Sequence, residues 1–336
     1  MKEHRPTLEA VAARARVGRG TASRVINGSG HVSPESRAAV LRAVEELGYV
    51  PNSAARALVR QRTDTVAFVA AVTDDRGFWE DPFYSPLVRG ASAALAAEGI
   101  QLLLAIAQSR QEHAQLTAFL SARHVDGVLL SSLHEGDPLL GRLDASAVPT
   151  VLVGAPAGYT PAYGVDVDNA AGGRLAAHHL IERGRRRIAV ITGPLSIRAS
   201  IDRWHGFRAV LDEAGLAHGP VAQGDFSRVS GEEAVRQLLA GGEQFDALFA
   251  ANDLMAAAAV DVLRESGRTV PDDVAVVGFD DTWVAAAADP PLTSIHQPLE
   301  DMGREAALLL LARLRQDDVP EPNVLFTPRL VVRESA

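Results

Sequence analysis

The sequence predicts an α/β protein: an N-terminal helix-turn-helix head followed by a body of two similar lobes, each built on a parallel sheet. Three observations carry this. Residues 7–27, TLEAVAARARVGRGTASRVIN, hold two short apolar stripes at helical spacing with a glycine between them. From Thr65 onward, buried strand-like runs alternate with amphipathic helices, and the whole theme then occurs a second time. At 336 residues and 47% apolar content, the chain suits a small head plus a body of about two domains.

In chain order, Leu8, Val11, Ala12 and Ala15 fall at i, i+3, i+4 and i+7, one apolar stripe with Thr7 as its N-cap. Val17 and Gly18 break the pattern, Ala22, Val25 and Ile26 restart it, and Asn27 with Gly28 stops it. In such a unit the second helix lies in the DNA major groove. That makes Arg19, Gly20 and Arg24 the outward-facing candidates for base edges and puts Thr21 and Ser23 within reach of phosphates. Ser33 before Pro34 and Glu35 reads as an N-cap with proline at the first helical position. Val40, Val44 and Leu47 continue a third helix to Gly48, closing a core over the first two. Residues 49–62, YVPNSAARALVRQR, are a proline stop, Asn52 as N-cap, and an alanine-rich turn or two of helix. So short a helix does not persist alone, because isolated helices below roughly 12 to 15 residues are marginal in water.

In the body, TVAFVAAV, QLLLAIA, VDGVLLS, TVLVG and YGVDV read as strands of a first set, with helices at residues 84–98 and 110–122. RRIAVITG, DALFAAN and DVAVVGFD are the strong strands of a second set, with helices near 169–183, 201–214, 231–240 and 252–265. Ligands in open parallel sheets sit beyond the carboxyl ends of the strands, so two facing lobes make a cleft. Asn252 and Asp253 end one such strand, Asp280 and Asp281 another, and Arg203 starts RWHGF after a third. Convergent amide, carboxylate and guanidinium groups beside aromatic rings suit a polyhydroxylated ligand, whose hydroxyls both donate and accept. Asp253 and Asp281 are read as caps of the segments that follow them.

Charge divides the chain. Residues 1–62 hold 11 Lys and Arg against 5 Asp and Glu, whereas the remaining 274 carry 22 against 37. A basic head neutralises phosphates; the acidic body chiefly aids solubility. With no cysteine there are no disulfides or thiolate metal sites. The longest apolar runs fall far short of the roughly 18 to 20 residues of a membrane span, and no charged-then-apolar leader opens the chain, so a cytoplasmic protein without a membrane partner is expected. No nucleophile elbow, phosphate loop or dinucleotide fingerprint is present, so no enzyme and no cofactor are expected. His178 and His179 point about 100° apart on a helix, which is poor for one metal. Arg185, Arg186 and Arg187 follow a helix end and are read as structural.

The stretch TLEAVAARARVGRGTASRVINGSGHVSPESRAAVLRAVEELGYVPNSAARAL resembles the DNA-binding head of the LacI/GalR family of bacterial transcription regulators almost residue for residue. PPLTSIHQPLEDMG and TPRLVVRES match the places where that family's chain recrosses between lobes, and the body also resembles periplasmic sugar-binding proteins. The resemblance implies a sequence-specific regulator, a repressor, that binds double-stranded operator DNA as a homodimer. It further implies control by a small polar effector, a sugar, held between the lobes; the alternatives are a purine-type or other effector acting as co-repressor and, behind it, a solute-binding protein. It assigns DNA contacts to Thr7, Arg19, Gly20, Thr21, Ser23, Arg24, Asn27, Asn52, Ala55 and Leu58, with Leu58 the wedge of a minor-groove hinge helix. Effector contacts fall to Phe83, Arg203, Phe226, Asn252 and Asp280. The expected domains are a head at 1–49, a hinge helix and linker at 50–63, and a body at 64–336. Within the body, the N-lobe takes about 64–165 and 293–325, and the C-lobe 166–292 and 326–336. A dimer rather than a tetramer is expected because only four residues follow Val332. Two departures stand out: Gly18 where the family usually caps the recognition helix with serine, and Gly154 where many sugar-binding relatives place an aspartate.

Overall fold

The structure is a computed structural model that describes residues 6–27, 32–50, 62–71, 79–107, 110–122, 124–131, 135–146 and 148–336. It divides into two compact units, Met1–Asp64 and Thr65–Ala336. The first holds α1 (Leu8–Arg14), α2 (Arg19–Ile26) and α3 (Pro34–Leu47). Thr7 caps α1, its hydroxyl accepting the Ala10 N–H at 3.3 Å, and Ser33 caps α3 ahead of Pro34. Gly18 opens α2 with no side-chain bond, and Gly48 ends α3 in the left-handed region at φ 58°. Val11, Ala12, Ala22, Val25, Val40 and Ala43 form the buried centre of this unit.

The second unit contains two six-stranded sheets. The first runs β11-β5-β4-β3-β1-β2, with β1 Thr65–Ala71, β2 Gln101–Ala107, β3 Gly127–Ser131, β4 Thr150–Val153, β5 Gly164–Val167 and β11 Asn323–Phe326. The second runs β12-β10-β9-β8-β6-β7, with β6 Ile188–Thr192, β7 Val221–Gln223, β8 Ala247–Ala250, β9 Ala275–Asp280, β10 Thr293–His296 and β12 Arg329–Val331. Every pairing is parallel except β10 with β12. The strands β3, β6, β8 and β9 are buried at every position, as sheets covered on both faces require. Around the first sheet pack α4 (Tyr84–Ala97), α5 (Arg110–Ser121), α6 (Pro138–Ser146) and α12 (Leu299–Arg315). With the second go α7 (Asn169–Glu182), α8 (Arg198–Glu213), α9 (Arg228–Ala240), α10 (Asp253–Glu265) and the short α11 (Trp283–Ala287).

The chain passes between sheets after β5, after β10 and after β11. The middle crossing was expected near residue 293; it falls after His296, because Thr293–His296 pairs with β9 and β12 of the second sheet. Helices α8 and α9 also start three residues earlier than their apolar pattern indicates. In α9 the early start has a plain cause: Ser227 accepts the Ser230 N–H at 3.1 Å and caps a polar first turn.

Each lobe locks one helix pair through reciprocal glycines. A Cβ on Gly173 of α7 would lie 2.1 Å from the Arg203 carbonyl, and one on Gly206 of α8 would lie 2.0 Å from that of Ala170. Likewise Gly90 of α4 meets the backbone of Glu300 and Gly303 of α12 meets that of Leu87. Gly206→Ala is therefore expected to lower stability by about 1–3 kcal/mol, because backbone, not a flexible side chain, must move. Gly18→Ser meets open space and supplies the missing cap, so it should raise stability by a few tenths of a kcal/mol. Thermal melts of the two variants check both signs.

Candidate functional site

The polar centre of the second unit is Arg203, only 5% exposed on α8. Its Nε donates to Asn169 Oδ1 at 2.8 Å, and its Nη1 donates to the Ala251 carbonyl at 2.5 Å and faces Asp280 Oδ1 at 3.4 Å. The guanidinium lies 3.6 Å over the Phe279 ring. Four carboxylates, of Asp280, Asp166, Asp253 and Asp81, all act on it, so one buried cation stands among more negative charge than it can balance. All four carboxyls are held above the usual carboxylate range, chiefly by burial. Desolvation, then the Asp280 charge, pushes Asp81 up to about 7, against a bond from the Phe83 N–H and the pull of Arg203. Desolvation raises Asp166 and Asp280 to about 6, and Arg203 opposes both shifts. Asp253 is raised well above the usual range by burial and by Asp280.

The expected effector residues occupy this region in different ways. Asp280, at the carboxyl end of β9, accepts Gln297 Nε2 at 2.6 Å and sits at φ 100°, a conformation a non-glycine residue holds only under constraint. Phe226 is also at positive φ, 74°, and its ring lies so close over Gly193 that a Cβ there would come within 2.3 Å of it. Phe83 precedes α4, donating its N–H to Asp81 Oδ1 at 2.9 Å and setting its ring edge-on to Tyr84. Asn252, the remaining residue of this set, has a protein partner at each end of its amide. It is the N-cap of α10, its Oδ1 accepting the Met255 N–H at 3.0 Å while its Nδ2 donates to the Phe226 carbonyl at 2.9 Å, so its hydrogen bonds go to protein and it seats Phe226.

The two aspartates expected to be caps are not: Asn252 caps α10, Thr282 stands at the cap position of α11, and Asp253 and Asp281 bond across segments instead. Asp253 accepts Ser294 Oγ at 2.6 Å and both the N–H and hydroxyl of Thr282, tying three segments together. Asp281 bonds Arg333 Nη2 at 2.6 Å and His296 Nδ1 at 3.0 Å. Gly154 sits at φ 73°, in the left-handed region that glycine adopts without strain. Sequence reasoning missed Asp81, Asp166, Asn169 and Gln297, which surround Arg203, and two buried hydroxyls without partners, Ser131 at the end of β3 and Ser200 beside Gly193. Across the cleft the lobes touch where Arg198 Nη2 donates to the Tyr159 carbonyl at 2.6 Å and the Ala157 N–H to that of Ser196 at 3.1 Å.

In the head, Arg19, Gly20 and Arg24 are exposed on α2, and Thr21 and Ser23 are half-buried beside them. Arg19 Nε pairs with Glu9 Oε1 at 2.9 Å, Arg24 Nε donates to the Gly20 carbonyl at 3.2 Å, and Asn27 Nδ2 donates to Ser23 Oγ at 3.1 Å. Asn52, Ala55 and Leu58 lie outside the described residues. Arg185 binds the carbonyls of Asp272 and Pro271, while the N–H groups of Arg186 and Arg187 bind Asp246, so this triplet is structural. Among the described residues no group of three or more His, Cys, Asp or Glu is placed to hold a metal, and no helix is long and apolar enough to cross a membrane.

Residues 7–52 match the bacterial regulatory proteins of the lacI family, and residues 177–336 match a periplasmic binding protein-like domain. The chain is 51% identical to the HTH-type transcriptional regulator CelR of Thermobifida fusca, over 99% of both chains. It is 34% identical to the ribose operon repressor of Escherichia coli strain K12, over 98% of this chain and 99% of that one. The structure of a CelR–cellobiose complex superposes with a TM-score of 0.79 at 49% identity, covering 99% of this chain and 100% of that one. A lac repressor dimer bound to operator superposes with a TM-score of 0.88 at 27% identity, over 99% of each. Paired along nearly its whole length with DNA-binding regulators of this kind, the chain belongs to the lacI family of bacterial transcription regulators.

Proposed function

We propose that this regulator is a dimeric repressor that reads its operator with Arg19 and Arg24, and whose effector is a sugar of the cellobiose type held between the lobes. The observation that carries the effector reading is a pair of buried hydroxyls left unmet in the same unit as the charged cluster of Arg203. Among the described residues, Ser131 Oγ at the end of β3 and Ser200 Oγ, one turn before Arg203 on α8, lack hydrogen-bond partners, and leaving such groups unmet costs about 1–3 kcal/mol each. A polyhydroxylated ligand supplies both donors and acceptors to them, and Phe226 and Phe83 offer rings to its apolar faces. The complex of CelR with cellobiose, at 49% identity, supports this choice. Residues 50–63 are read as the hinge, with Leu58 as its minor-groove wedge. The protein works in the cytoplasm, where its DNA is.

Calorimetric titration of cellobiose, other disaccharides, ribose and purines tests the effector reading. A disaccharide should bind wild type, and Asp280→Ala should weaken it roughly 10- to 100-fold, as expected for a charge-assisted hydrogen bond. Equal binding by wild type and variant removes the cleft assignment. Operator must shift the same affinity, typically by about 1–3 kcal/mol, because the coupling is reciprocal.

The raised carboxylates add a pH signature. Hydroxyl donors on Asp81 and Asp280 favour their ionised forms, so effector binding releases protons near neutrality. Affinity should rise as pH climbs toward 7, the level to which Asp81 is pushed in the free protein, and level off above it. Titrations in two buffers of different ionisation heat measure the proton release; proton uptake would contradict it.

For the head, Arg24→Ala should cost roughly 1–3 kcal/mol on operator and distinctly less on random duplex. Equal loss on both would make Arg24 a phosphate contact.

A further inference from the structure

Glu9 stands between the two helices of the DNA-reading unit. It is the second residue of α1, and its Oε1 lies 2.9 Å from Nε of Arg19, the first residue of α2. Both side chains are well exposed, at 60% and 72%, so the pair adds little to stability; exposed pairs are typically worth about 0.2–1 kcal/mol. Its geometry is more informative. The closest approach to Glu9 is made by Arg19 Nε, as an ion pair, and among the described residues Nη1 and Nη2 of Arg19 carry no hydrogen bond. Arg24 is also engaged at Nε, on the Gly20 carbonyl one turn back, with no side chain at Gly20 in between. Two arginines whose Nε atoms are engaged by protein present the pair of donors that matches O6 and N7 of guanine.

We infer that Glu9 is a positioning residue for operator readout: it holds Arg19 by Nε so that the terminal nitrogens meet a guanine edge, and its charge disfavours DNA lacking that base. The second effect follows from placement. A carboxylate beside the DNA-facing helix is repelled by phosphates and offsets the Arg19 charge that would otherwise serve nonspecific binding. On the right sequence, the guanine contact compensates. On other sequences nothing does, so Glu9 widens the gap between operator and random DNA. This inference rests on the reading of Arg19 as a base contact.

The test uses the full-length protein and a random-sequence duplex library from which wild type, Glu9→Gln, Arg19→Ala and the double variant each select binding sites. Dissociation constants for the wild-type selected duplex and a scrambled duplex are then measured at two salt concentrations. Arg19→Ala should lose one base preference per half-site. Glu9→Gln should lose preference at that same position. Its operator-to-random ratio should fall about tenfold, mainly through tighter binding to the scrambled duplex. The salt slope on scrambled duplex should also steepen by about one. In the double variant the base preference should fall no further than in Arg19→Ala alone. If Arg19→Ala loses the preference while Glu9→Gln keeps both it and the ratio, the role of Glu9 is refuted and the Arg19 reading stands. If Arg19→Ala keeps the preference, the Arg19 reading fails and this inference with it. Additive losses in the double variant also refute positioning.

Discussion

One buried guanidinium organises the cleft side of this protein. Arg203 reaches from α8 to Asn169 at the start of α7, to the Ala251 carbonyl after β8, to Asp280 at the end of β9, and across the Phe279 ring. Three separate segments, at α7, after β8 and at the end of β9, are thereby registered against one planar, rigid group, which is a use arginine serves and lysine does not. The glycine lock between α7 and α8 is what brings it there. Without a Cβ on Gly173, the Arg203 backbone approaches α7 closely enough for its side chain to reach the sheet edge. Packing and electrostatics are here one constraint: the close helix contact sets the position of the charge, and the charge sets the chemistry of the cleft.

The charges around Arg203 do not balance. Asp81, Asp166, Asp253 and Asp280 exceed what one cation neutralises, and burial raises all four. The backbone shows the same tension, since Phe226, Asp280 and Asp281 all sit at positive φ. Strain of this kind persists only where surrounding structure over-determines it, and it gathers at ligand sites. Here Asn252 supplies part of that determination by holding the Phe226 carbonyl, while Arg333 and His296 hold Asp281.

The head works by a different economy. Its six-residue apolar centre is small, its caps are local, and its polar groups are exposed. Its exposed arginines on α2 are each engaged at Nε, Arg24 by a hydrogen bond to the Gly20 carbonyl and Arg19 by an ion pair with Glu9. Contacts this light restrict long side chains that otherwise have many orientations of similar energy.

Much of this was legible from the chain alone. Helix ends marked by Thr7, Ser33 and Gly48, the apolar stripes of the head, and the doubled strand–helix alternation are local signals, each written within a few residues. Arg203 and Asp280 stand out in the sequence because they end or follow strong strands, whereas Phe226 is singled out only by the family resemblance. Local pattern could not reveal that Asn252 spends its side chain on Met255 and Phe226, that Asp81 shares an electrostatic field with Asp280, or that β10 stays with the second sheet. Nor could it reveal the Glu9–Arg19 pair, because ten residues and a turn separate partners that touch. These facts belong to tertiary structure for one reason. A short-range pattern specifies which face of an element is apolar, but which polar groups meet across elements depends on helix approach and strand register, and those are set by packing the whole unit.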